Sequence, residues 1–154
     1  MQSDAEKRLI ELGIELPAPP VPLGAYVEAV QTGNLLFLSG TLPAVGRNIA
    51  YRGRIGGEVN QDEGRAAARQ AALNALSIAK EHLGSLNRIT RVVRLGVMLA
   101  TSGDFVELPK VADGASELFQ DVFGAERISV RLVYGVASLP LNLPVELEVI
   151  LEVA

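Results

Sequence analysis

Hydrophobic and polar positions alternate most clearly between Glu126 and Ala154, where the spacing predicts two long strands. In the first, Ile128, Val130, Leu132, Tyr134 and Val136 share one face, and Ser129, Arg131, Val133, Gly135 and Ala137 the other, because successive strand side chains point to opposite sides. Both sets are largely apolar, so this strand is expected to be covered on both faces. Arg131 is the exception, and an arginine there is costly unless an anion pairs with it. In the second strand Val145, Leu147, Val149, Leu151 and Val153 form an apolar face, and Glu146, Glu148, Ile150 and Glu152 the other. Such a row of carboxylates needs water, a cation or another chain opposite.

The period becomes helical from Asn60 to Leu83, where Ala68, Ala71, Ala72, Ala75, Leu76, Ala79 and Leu83 recur on one side. Asn60 and Glu63 have the spacing of a capping box, and Gly84 can end the helix. A second helix is predicted over Pro109–Phe123, with Val111, Ala115, Leu118, Phe119, Val122 and Phe123 as its buried stripe and Pro109 suited to the first turn. Residues 3–12 predict a short helix, with Ser3 and Glu6 as its capping box and Gly13 as its stop. The prolines at 17, 19, 20 and 22 then force an extended connector. Tyr26–Val30 and Leu35–Ser39 read as a hairpin about Gln31–Asn34, residues 44–59 as irregular turns, and Ile89–Ala100 as a strand. Arg88, Arg91 and Arg94 at its start are expected to form a solvated sheet end or to meet the glutamates of the last strand. The strand–helix–strand unit from Ile89 to Ser138 should give parallel neighbours through a right-handed crossover. The outcome is an α+β layer, two helices on one face of a mixed β-sheet. Residues 1–23 form an N-terminal helix and proline-rich extension, and 24–154 the domain.

Composition narrows the chemistry. A chain of 154 residues suits one domain burying about 70% of its unfolded surface. It is 49% hydrophobic but 5% aromatic, so the core should be aliphatic and alanine-rich. A net charge of −4 disfavours a nucleic-acid partner held through phosphates. Without cysteine there is no disulfide, thiolate metal site or cysteine nucleophile. The single histidine, His82, cannot build a histidine metal cluster; it sits in the last turn of the long helix, where partial positive charge suits the dipole. No metal or organic cofactor is expected. The glycine–arginine stretch Arg52–Gly57 fits neither phosphate-loop nor dinucleotide spacing. No apolar run approaches the ~18 residues of a membrane span and no signal-peptide pattern is visible, so a cytoplasmic protein with no membrane partner is expected.

Three stretches carry a resemblance. Arg131, then Gly135-Val136-Ala137-Ser138-Leu139-Pro140, then Val145-Glu146-Leu147-Glu148-Val149, resemble the C-terminal signature of the YjgF/RidA family. These are the reactive-intermediate (enamine/imine) deaminases, also labelled endoribonuclease L-PSP. The family places an arginine nine residues before the proline of Leu-Pro and a Val/Ile-Glu pair on the closing strand, which Arg131, Pro140 and Val145-Glu146 match. Gly24-Ala25-Tyr26, Val30, Gly33-Asn34 and Ser39-Gly40-Thr41-Leu42-Pro43 resemble its Gly-Pro-Tyr and Ser-Gly-x-Ile/Leu-Pro elements, with Ala25 in place of proline. Val111–Ser116 is similar to the longer YjgF-like branch. The resemblance covers Gly24 to Ala154.

It implies the chorismate-mutase-like fold, a homotrimer, and hydrolysis of small 2-imino or enamine acids to 2-oxo acids and ammonia, as in a 2-iminobutanoate/2-iminopropanoate deaminase. Arg131 would hold the substrate carboxylate with its planar fork, and Glu146 would position or deprotonate water. Tyr26 would close the pocket or donate its hydroxyl, and Gly40 would let backbone approach the ligand. Val133 and Asp113 stand where the family commonly has cysteine and asparagine, and Leu132 where it has serine or threonine. On the residues alone, Arg131 could instead pair with Glu146 or Glu148. Were the last two strands a hairpin about Leu141-Asn142, however, Arg131 would lie about 20 Å along the strand from Glu146, and only a second subunit would unite them. The alternative function is a trimeric small-carboxylate-binding or protein-interaction module without catalysis, favoured by Leu132, Val133 and Asp113. Ribonuclease activity is disfavoured by the negative charge and the lack of a suitable histidine.

Overall fold

The computed structural model describes residues 3–154. A short helix, α1 (Ala5–Glu11), precedes a hairpin of β1 (Ala29–Thr32) and β2 (Leu35–Leu38). The long α2 (Gln61–Leu83) leads to β3 (Ile89–Ala100), α3 (Leu108–Phe123), β4 (Val130–Val136) and β5 (Val145–Val153). Five strands form one sheet in the order β1-β2-β5-β3-β4; β3 and β4 are parallel and the other neighbours antiparallel. This is the expected α+β layer with its mixed sheet.

The start of α2 follows from two side chains. Asn60 Oδ1 accepts from the Glu63 amide at 2.8 Å, and the Glu63 carboxylate accepts from the Asn60 amide at 2.9 Å, so two otherwise orphaned donors are satisfied. The alanines of α2 then let it lie close on the sheet, chiefly on β5, burying Ala68, Ala71, Ala72 and Ala75 in one core with Val149 and Leu151. Between the helices the approach is tighter still: a Cβ on Gly114 would lie 2.2 Å from the Arg65 carbonyl oxygen, so no larger residue fits there.

Helix α1 packs on the body and buries Ala5 and Leu9 in the common core. Three features depart from expectation. The Ser3–Glu6 capping box does not form, and Asp4 stands at the N-cap without a side-chain bond. The Glu6 carboxylate instead accepts from the Leu86 amide at 2.9 Å and from Lys80 Nζ at 3.0 Å, while the Glu6 amide donates to Asn87 Oδ1. Tertiary partners at the end of α2 and on the turn after it take the groups that would have made the local cap. The first strand begins at Ala29, not Tyr26, because Tyr26 sits in a turn whose amide donates to the Gly24 carbonyl.

The third correction concerns β4. Both its faces were expected to be covered, yet it is an edge strand, and Val130, Leu132 and Tyr134 are 72%, 51% and 42% exposed. The last two strands are not a hairpin: β3 lies between them. The helices cover one face of the sheet, so the apolar stripe on the other side of β4 stays open. Arg94 meets β5 as expected, its Nε 2.6 Å from Glu148 Oε1, and Thr90 Oγ1 donates to Glu152 Oε1 at 2.6 Å.

Candidate active site

Two of the outward carboxylates of β5 are therefore occupied; Glu146 is not. Thr41 and Leu147 exchange backbone bonds of 2.8 and 2.9 Å, which draws the Ser39–Leu42 loop alongside β5. Gly40 thereby comes to lie against Glu146: a Cβ built on Gly40 would be 2.8 Å from Glu146 Oε2. Leu23, Tyr26, Ser39, Gly40, Leu42, Pro140 and Glu146 line an open cleft of about 480 Å³. Burial raises the Glu146 carboxyl above its ordinary value, as desolvation disfavours the charged form. No side chain among the described residues compensates with a hydrogen bond or ion pair to Glu146. Tyr26 is committed locally, its hydroxyl oxygen accepting from the Leu23 amide at 3.0 Å.

Arg131 lies elsewhere. It is opposite Leu95 in the β3–β4 register, and Glu146 is opposite Met98 in the β3–β5 register. Leu95 and Met98 are three residues apart on one strand, so Arg131 and Glu146 occupy opposite faces of the sheet. Strand geometry puts their Cα atoms about 14 Å apart. Arg131 faces the helices, and α3 offers it two side chains one turn apart: Nη1 donates to Asp113 Oδ1 at 2.7 Å and to Ser116 Oγ at 3.0 Å. The partner of Arg131 is thus Asp113, not Glu146 or Glu148. Among the described residues nothing engages Nε or Nη2, the edge of a guanidinium that grips a carboxylate in two parallel bonds. Val133 follows on the same face, half-buried against the core.

The candidate residues hence form two groups in one chain. Tyr26, Gly40 and Glu146 meet on the open face; Arg131, Asp113 and Val133 meet on the helix side at the sheet edge. Ser116 was missed, although its i,i+3 spacing from Asp113 placed it on the same face of the predicted helix. His82 is remote from both, with Nε2 3.4 Å from Gln31 Oε1.

Comparison with known proteins agrees with this architecture. Protein TCP17 of Trypanosoma cruzi is 41% identical over 145 residues, covering 94% of this chain and 91% of that protein. A 2-iminobutanoate/2-iminopropanoate deaminase of Dermatophagoides farinae is 32% identical over 135 residues, covering 88% and 91%. A solved structure from Shewanella oneidensis, described as an endoribonuclease, superposes with a TM-score of 0.92 at 34% identity, covering 97% of this chain and 99% of that one. The model of the family described as "YjgF/chorismate mutase-like, putative endoribonuclease" matches residues 6–152, which takes in most of the N-terminal segment set apart above. The chain belongs to the YjgF/chorismate-mutase-like family.

Proposed function

We propose that the chain hydrolyses small 2-imino and enamine acids to 2-oxo acids and ammonia in a cleft between the subunits of a homotrimer. The observation that carries this reading is Glu146: a half-buried carboxylate with no side-chain partner among the described residues, its pKa raised by burial, beside a glycine on an open sheet face. A carboxyl tuned upward both takes a proton from water and returns it, as imine hydrolysis requires. The Nε/Nη2 edge of Arg131 from a neighbouring copy holds the substrate carboxylate, while Asp113 and Ser116 fix the guanidinium through Nη1. Water adds to the imine carbon as Glu146 accepts its proton and the nitrogen is protonated; the carbinolamine then expels ammonia. The relative named as a 2-iminobutanoate/2-iminopropanoate deaminase supports the reaction class.

Incubation with imino acids generated in place, or with 2-aminoacrylate, should release ammonia faster than buffer alone. Decay at the buffer rate with retained binding of small carboxylates would instead support the second reading, a non-catalytic binding module. That reading is favoured by Asp113, which already balances the charge of Arg131.

Assembly follows from the same geometry. The open sheet face carries Val30, Phe37, Val130, Leu132 and Tyr134, all substantially exposed. Apolar patches at both edges of this face, on either side of the Arg94–Glu148 pair, suit burial against copies of the chain. Light scattering should report a trimer, and a monomer with full activity would sink the divided site. Gly40→Ala tests the half-site alone. Its new methyl meets the flexible end of Glu146, so folding should persist while turnover falls roughly 10- to 100-fold through displacement of the carboxylate. Unchanged turnover would place the reacting water elsewhere.

A further inference from the structure

We infer that a cavity adjoining the Glu146 cleft receives the substrate's side chain, so that this protein acts on 2-imino acids bearing bulky apolar groups, branched aliphatic or aromatic. The inference rests on the deaminase reading above and specifies its substrate class. The cavity holds about 480 Å³ and shares Leu23, Tyr26, Gly40 and Leu42 with the cleft around Glu146. Tyr26 and the side-chain-free Gly40 border both spaces, so the substrate's side chain would pass between them from Glu146.

The far walls are apolar: Pro19, Pro20 and Val21 from the proline-rich connector, with Ile49, Ile78 and Leu141 from the body. The connector is held at both ends. Ser77 Oγ donates to the Pro17 carbonyl at 2.8 Å, and the Leu23 amide donates to the Tyr26 hydroxyl oxygen at 3.0 Å. Prolines fix φ between those anchors, so the wall is preformed. Three charged side chains also line the space, Glu28, Arg47 and Arg52. Arg52 is spent on the Leu141 carbonyl at 3.1 Å. Burial, aided by the charge of Glu81, shifts Glu28 toward its neutral form, and Arg47 is exposed. The volume falls in the range of small-molecule sites, and the methyl or ethyl group of the smallest imino acids leaves most of it empty.

The test compares ammonia release from imino acids made in place by an amino-acid oxidase from alanine, leucine and phenylalanine. The leucine- and phenylalanine-derived imines should show kcat/KM about tenfold or more above the alanine-derived one, the scale of discrimination by a few buried methylenes. Ala18→Trp, which fills the cavity from the exposed connector, should bring that ratio to about one. Val21→Phe serves the same purpose should the first variant fold poorly. Equal rates across all three imines, or a ratio untouched by both fillings, overturn the inference and leave the deaminase reading standing. Acceleration of no imine overturns that reading. Calorimetry with phenylpyruvate, 4-methyl-2-oxopentanoate and pyruvate then decides the cavity's role. Tighter binding of the larger acids, lost on filling, sustains it; equal or absent binding refutes it.

Discussion

Glu146→Gln should lower imine hydrolysis by about 10²- to 10⁴-fold and at the same time make the folded protein more stable at neutral pH. The two effects have one cause. Burial raises the folded-state carboxyl above the ordinary glutamate value, so the folded protein binds this proton more tightly than the unfolded chain does. Stability from this group is fully present below the unfolded pKa and is lost as pH rises through the raised folded value. Above that value the folded protein carries the whole cost of a half-desolvated charge, which no side-chain cation among the described residues offsets. Glutamine has no charge to desolvate and cannot exchange the proton. Urea melts at pH 4 and pH 8 should show wild type losing ground to the variant at the higher pH only. The kcat/KM profile of wild type should rise with pH through a value above that of an ordinary carboxylate. A variant with wild-type turnover, or one with the same pH dependence of stability as wild type, would remove Glu146 from the chemistry.

The features legible in the sequence are those set within a few residues of chain. Asn60 and Glu63 are neighbours by helical geometry, so their capping box could be read directly; the bounds of β3 and the stripe of α3 were legible for the same reason of short-range period. Sheet order is a different kind of fact. The apolar faces of β4 read as those of a strand covered on both sides, but no local pattern tells that β5 inserts between β2 and β3 and leaves β4 at the edge. The Ser3–Glu6 cap failed likewise, because Lys80 from the end of α2 and Leu86 from the turn after it reach Glu6 from more than seventy residues away. The site divides along this line. Gly40 and Glu146 were identifiable as residues, while their contact depends on the Thr41–Leu147 bridge, and the connector's cavity on four separate stretches of chain. For Arg131 the need for an anion was legible and its identity was not. The crossover that lays α3 over β4 was expected, but only its register brings Asp113 and Ser116 beneath the guanidinium.

That register decides what Arg131 should do when replaced. Arg131→Lys should weaken binding of a small carboxylate by about 1.5–3 kcal/mol, roughly 10- to 150-fold, because lysine keeps the charge but loses the Nε/Nη2 fork. Stability should change little. The Arg131–Asp113 pair spans 2.7 Å, with side chains 26% and 43% exposed, so it behaves as a surface pair worth up to about 1 kcal/mol. Lysine can still face Asp113. Even Arg131→Leu should cost only about 1 kcal/mol, well short of the 3–5 kcal/mol that breaking a buried pair would take, because water can reach the abandoned Asp113. Binding and stability thus separate: both variants should lose the ligand, and neither should lose the fold. Titration of pyruvate beside denaturant melts measures the two together. Strong destabilisation with unchanged affinity would make the Asp113–Arg131–Ser116 cluster a clamp between α3 and β4, and the carboxylate would then have to be held by another cation.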